Sequence, residues 1–139
     1  MTTDFKPSII LDTNVIISGV LFKGAVIRRL LLLALNEYQL VFSQATWDEL
    51  AVVLQRDSFE KHMPLGARLR VLADLAGLIE VVPTTSIVAD CRDPKDNKFL
   101  SVAVDAGVST IVTGDADLLV LSPYKGVSIC TPADFMQGR

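Results

Sequence analysis

One histidine, one tryptophan and two cysteines in 139 residues leave little room for several common kinds of site chemistry. His62 is the sole imidazole, and it falls in a loop away from the ends of the apolar runs, so it reads as a surface residue. No Ser-His-Asp or Cys-His pair is available for nucleophilic catalysis. Zinc, which prefers nitrogen and sulfur ligands, is disfavoured. Cys91 and Cys130 lack metal-type spacing and need not pair, which fits a reducing cytoplasm. No glycine-rich phosphate loop of either common type is present. The longest apolar block, around Leu30 to Leu35, is bounded by Arg28, Arg29 and Asn36. It is far too short to span a bilayer and reads as a buried helix. The polar start MTTDFKPS, with Asp4 and no arginine-rich stretch, gives no secretory or transit signal. A cytoplasmic location away from membranes is expected.

Basic residues are also in short supply. Lys and Arg number 13 against 16 Asp and Glu, for a net charge of −3. Nucleic-acid partners usually demand a basic face. A cluster of metal-bound acids would leave the rest of the surface less acidic than that total. Lys23, Arg28, Arg29, Arg56, Lys61, Arg68, Arg70, Lys95 and Lys98 are the candidate phosphate contacts, each equally explicable as a solvated charge.

Half of the residues are hydrophobic, and they fall into runs of two kinds. Ser8–Leu11, Leu40–Phe42, Ile79–Val82, Thr110–Val112 and Val127–Cys130 are short and rich in β-branched residues, as buried strands are. Ala25–Leu35, Trp47–Leu54, Leu65–Leu78 and Asn97–Ala106 have helical spacing, with a break at His62–Pro64 between the second and third. Strands separated by helix-length segments pair in parallel through right-handed crossovers. The expected fold is a three-layer α/β/α sandwich of Rossmann-like type around a mainly parallel five-stranded sheet. With no linker or repeat, residues 1–139 read as one domain.

Acidic residues recur where apolar runs end. Asp12 follows SIIL, Glu49 lies just past LVFS, Asp96 sits in RDPKDNKF, and Asp115 follows STIVTG. Each has a structural explanation. Asp12 suits a helix cap after a strand, with Thr13 and Asn14 beside it to orient it or a water. Thr46 and Glu49 have capping-box spacing. Glu49 borders the apolar stripe Leu50, Val53 and Leu54, and so faces the cleft better than Asp48. Asp93 reads as an N-cap before Pro94, which leaves Asp96, with Asn97 next to it, for chemistry. Asp115 and Asp117, two apart after Gly114 and before a short helix Leu118–Leu121, can reach one ion or bracket two. Together the acids would lie at the carboxyl ends of adjacent parallel strands, where open α/β sheets place their sites. Carboxylates brought that close repel unless a cation binds among them. The ligands are hard oxygens, so Mg²⁺ or Mn²⁺ is expected, and the corresponding chemistry is hydrolysis of a phosphodiester.

The pieces LDTNVIISG, SQATWDEL, DPKDNKFLSVAVDAG, TGDADLLVL and ICTPADFM cover the chain nearly end to end, and their order resembles that of a PIN domain. The nearest variety is the bacterial and archaeal group read as toxins of toxin–antitoxin pairs. The resemblance implies a fold like that of flap nucleases and Mg²⁺- or Mn²⁺-dependent ribonuclease activity. It implies Asp12, Glu49, Asp96 and Asp115 as the acidic quartet, with Asp117 as an accessory metal ligand. Thr13 and Asn14 would support them. It also implies a homodimer or higher homo-oligomer, silenced by a small antitoxin. Two other readings compete. One is a catalytically silent PIN fold that only binds. The other is a receiver-like signalling domain, which needs a lysine near a late strand end; here Thr113 and Thr131 stand there instead.

Overall fold

In the computed structural model, which describes residues 6–22 and 24–139, the run Ser8–Leu11 forms β1 at the centre of a parallel sheet. Gln39–Phe42 (β2) and Glu80–Val81 (β3) extend the sheet on one side; Thr110–Val112 (β4) and Ser128–Cys130 (β5) extend it on the other. The strand order is β3-β2-β1-β4-β5, and every neighbouring pair is parallel. Lys23 and Met1–Phe5, with Asp4, lie outside the described residues.

Side chains of a strand alternate between faces. Ile9 and Leu11 join Leu40, Phe42 and Val112 in one core, while Ile10 joins Val41 and Ile111 in the other. The first face is covered by Thr13–Leu21 (α1), Ala25–Glu37 (α2), Gln44–Leu54 (α3), Leu65–Ala76 (α4) and Pro132–Met136 (α7). The second is covered by Asn97–Ala106 (α5), through Phe99, Leu100 and Ala103, and by the short Ala116–Leu119 (α6). This is the expected three-layer sandwich. Gly107, at φ +66°, ends α5 in the left-handed conformation that glycine adopts without a Cβ penalty. Among the described residues no helix is long and apolar enough to cross a membrane.

The structure corrects several sequence expectations. Helix α3 begins at Gln44, three residues before Trp47, and its capping box is Ser43 with Thr46 rather than Thr46 with Glu49. The Ser43 hydroxyl accepts from Thr46 N–H at 3.1 Å, and Thr46 Oγ1 accepts from Ser43 N–H at 2.9 Å. The helix starts earlier because β2 ends at Phe42, which leaves Ser43 as the cap. Glu49 is thereby released from capping. Replacing Ser43 with Ala is expected to cost about 1 kcal/mol, read as a lower urea midpoint at unchanged slope. Helix α2 is amphipathic rather than buried throughout: Leu30 and Ala34 are buried, Leu32 is exposed. The short helix after Asp115 starts at Ala116, not Leu118, because Asp115 itself is the cap. The N- and C-terminal helices α1 and α7 were not among the helical runs read from periodicity; α1 enters there only as the helix Asp12 would cap.

Asp96 also follows no strand directly. Strand β3 stops at Val81, at the sheet edge, and an irregular segment from Val82 to Asp93 carries the chain back to α5, which packs on β2 and β4. Asp105 of α5 pins that segment by accepting from Thr85 N–H at 2.7 Å and Ser86 N–H at 3.0 Å.

Candidate active site

The ends of β1 and β4 are neighbours, and so their following residues meet. Asp12 is buried and caps α1. Its Oδ2 accepts from the fully buried Thr113 hydroxyl at 2.6 Å, and its Oδ1 accepts from Asn14 N–H at 3.4 Å. Thr113 Oγ1 in turn accepts from Asp115 N–H at 3.0 Å, and Asp115 Oδ1 from Asp117 N–H at 2.8 Å. Across the cleft, Glu49 on α3 accepts from Thr13 Oγ1 and pairs with Lys98 Nζ at 3.0 Å. Of these residues, Asp12, Thr13, Asn14, Glu49 and Asp115 open onto one cleft of about 370 Å³.

Asp96 is different. It projects from a 3-10 turn, Pro94–Asp96, capped by Asp93 through Lys95 N–H at 3.1 Å. Its carboxyl lies within hydrogen-bonding reach of Asp115, and its Oδ2 is buried without a donor. Two acceptors facing each other need a proton or a cation between them. Burial, followed by Asp115 and then Asp12 and Asp93, pushes the Asp96 carboxyl up to about 7. Burial also raises Asp12, against the opposing hydrogen bonds from Thr113 and Asn14.

Repulsion among the acids is therefore relieved unevenly. Thr113 and Asn14 serve Asp12, Thr13 and Lys98 serve Glu49, and the Asp117 N–H serves Asp115. Only Asp96 keeps a buried oxygen unserved among the described residues. No three acidic, cysteine or histidine side chains among those residues stand ready to grip one ion together. Mg²⁺ typically takes one or two carboxylates and keeps its waters. The Asp96–Asp115 pair, with Asp12 behind it, meets that demand.

The structure brings Asp12, Thr13, Asn14, Glu49, Asp93, Asp96 and Asp115 to this cleft. Asp117 and Asn97 do not line it. Asp117 contributes its backbone to Asp115, and Asn97 Oδ1 accepts from Cys91 N–H at 2.8 Å. Of the candidate phosphate contacts, Arg56 and Lys95 line the cleft, and Lys98 is engaged by Glu49. Arg68 cannot contact phosphate: it is 1 % exposed, with its guanidinium spent on backbone carbonyls. Arg28, Arg29, Lys61 and Arg70 are exposed elsewhere, as is His62, which stacks edge-on with Phe22. Thr113 and Lys98 were not foreseen as partners of the acids. The only available signal for Thr113 was a polar residue directly after a buried strand.

The fold has counterparts among known proteins. An uncharacterized protein of Methanocaldococcus jannaschii is 27% identical over 142 residues, covering 95% of this chain and 91% of that protein. VapBC2 from Rickettsia felis, solved bound to a DNA fragment from their promoter, superimposes with a TM-score of 0.60 at 13% identity, over 89% of this chain and 98% of that chain. DNA-bound VapBC from Salmonella typhimurium gives a TM-score of 0.59 at 20% identity, over 91% and 98%. Those two likenesses are of fold. The family model of the PIN domain matches residues 8–117, and the chain belongs to the PIN domain family.

Proposed function

We propose that this PIN domain is an Mg²⁺- or Mn²⁺-dependent endoribonuclease and the toxin of a toxin–antitoxin pair. PIN domains are generally nucleases that use a divalent metal. The carrying observation is the buried, unserved oxygen of Asp96 facing Asp115. Asp96, Asp115 and Asp12 would hold the cation, and Asp117, whose side chain does not line the cleft, would act through the N–H it gives Asp115. When bound, the cation supplies charge neutralisation at the scissile phosphate and lowers the pKa of a water.

The remaining work falls to this chain's own groups. Thr113 fixes Asp12 with its buried hydroxyl. Glu49, held at both oxygens by Thr13 and Lys98, presents a carboxylate of set orientation to accept a proton from the attacking water. Asp96 keeps a proton near neutral pH in the metal-free chain and must lose it to act as a ligand, so affinity for Mn²⁺ should rise as pH passes about 7.

The VapBC neighbours are toxin–antitoxin proteins, which supports a small antitoxin as partner, and a homodimer is the assembly we expect. The test is incubation of the purified chain with cellular RNA. Cleavage in Mn²⁺ or Mg²⁺ should vanish on adding excess EDTA and return with metal. Cleavage that persists in EDTA would refute the metal-dependent mechanism. That no three such ligands gather among the described residues favours one second reading, a PIN fold that binds without cutting. Calorimetric titration showing no Mn²⁺ binding at millimolar metal would support that reading instead.

A further inference from the structure

The floor of the cleft is acidic, yet two cations stand at its rim. Glu49, Val52 and Val53 share one face of α3, and Arg56 follows just past its end. Arg56 is mounted rigidly: its N–H reaches Val53 O at 3.1 Å, and its carbonyl accepts from Arg68 at 3.0 Å. Lys95 is likewise fixed by its backbone, its N–H on Asp93 at 3.1 Å and its carbonyl on the Lys98 ammonium. Both head groups are exposed and line the cleft. Among the described residues the ion pairs are Arg68–Glu60 and Lys98–Glu49, so neither rim cation is neutralised despite the acids beside it. Between Glu49 and Arg56 lies Val52, 66 % exposed, an apolar step in an otherwise polar cleft.

We infer that Arg56 and Lys95 form a two-point clamp on the phosphates of the nucleic-acid backbone, with Val52 as the ledge for a ribose or base. The inference rests on the ribonuclease reading and names the residues that grip its substrate beside the acids. Local cations help a polyanion approach an acidic floor on a chain of net charge −3, and Arg56 and Lys95 supply them at the rim. The clamp holds backbone phosphates flanking the one to be cut. The apolar step accepts the sugar or base face between them, which is sequence-tolerant contact.

The test uses fluorescence anisotropy of labelled single-stranded RNA in Mg²⁺, with the full chain carrying Asp96→Asn so that the probe stays intact. Adding Arg56→Gln or Lys95→Gln should weaken binding by roughly threefold to fivefold each. Each should also lower the slope of log affinity against log salt by about 0.7. In the otherwise wild-type chain the same variants should raise KM and leave kcat nearly unchanged. DNA of the same sequence should show the same losses, because the clamp reads phosphate. Unchanged affinity and salt slope in both variants, while the wild-type chain still cleaves RNA, would overturn the clamp and spare the ribonuclease reading. A wild-type chain that does not cleave RNA removes the reading beneath the clamp.

Discussion

Asp96→Asn should lower RNA cleavage by at least about 10²-fold and, in the metal-free protein, raise the melting temperature at neutral and higher pH. The two effects have one cause. In wild type, ionising Asp96 places a second negative charge against Asp115 in a buried position without a donor. An asparagine removes that charge and offers its amide N–H₂ to Asp115. It also deletes the oxygen that would hold the cation. Activity and stability are thus opposed at this residue, as expected where a site is arranged for a ligand rather than for the fold.

The pH dependence follows from the direction of the shift. The carboxyl titrates at the ordinary aspartate value of 3.8 in the unfolded chain and at about 7 in the folded one. Between those values the folded state holds the extra proton, so the contribution of Asp96 is fully present below about pH 4 and is lost as pH rises through about 7. Thermal melts in EDTA should show wild type falling relative to Asp96→Asn across that window. Mn²⁺ should then restore wild type more than the variant, since ligand binding to the native state stabilises it. A variant that melts no higher than wild type at pH 8 in EDTA would contradict the buried charge pair.

The arrangement of strands was legible because parallel strands buried on both faces read as short apolar runs, and here each run sits between helix-length segments. Asp12 and Asp115 were legible for the same reason: Asp12 comes straight after β1, Asp115 three residues past the end of β4, and β1 pairs with β4. Asp96 was legible as a motif but not in its placement. The chain reaches it through Val82–Asp93, whose path is set by contacts with Asp105 that periodicity does not encode. The partners of the acids were illegible altogether. Thr113 lies 101 positions from Asp12, and Lys98 is 49 positions from Glu49, separations at which spacing rules say nothing. Charge alone also misled. Arg68 resembles any other surface arginine in the sequence, and only the fold shows that it is buried.

Arg68→Ala should be the most damaging substitution outside the cleft, costing about 3–5 kcal/mol and lowering the melting temperature by on the order of 10 °C. The guanidinium donates to Met63 O at 2.9 Å, to Leu54 O at 2.7 Å and to Arg56 O at 3.0 Å, and it reaches Glu60 Oε2 at 2.6 Å. Three of these four partners are backbone carbonyls: those of Leu54 and Arg56 lie at the end of α3, where carbonyls lack an intrahelical donor, and that of Met63 lies in the turn before α4. The ion pair contributes less, because Glu60 is 60 % exposed on its side chain and solvent screens it. Glu60→Gln should therefore cost under about 1 kcal/mol, far less than Arg68→Ala. Arg68→Lys should fall closer to the alanine variant, since a point charge cannot span carbonyls held by a planar fork. Chemical denaturation of the three variants separates the accounts. Equal losses for Glu60→Gln and Arg68→Ala would place the stabilisation in the ion pair and overturn the capping role. Since α3 carries Glu49 and Val52, and the Arg68 guanidinium holds the Arg56 carbonyl, capping ties the shape of the cleft wall to one buried side chain. Arg68→Ala should accordingly weaken RNA cleavage even at temperatures where the variant remains folded.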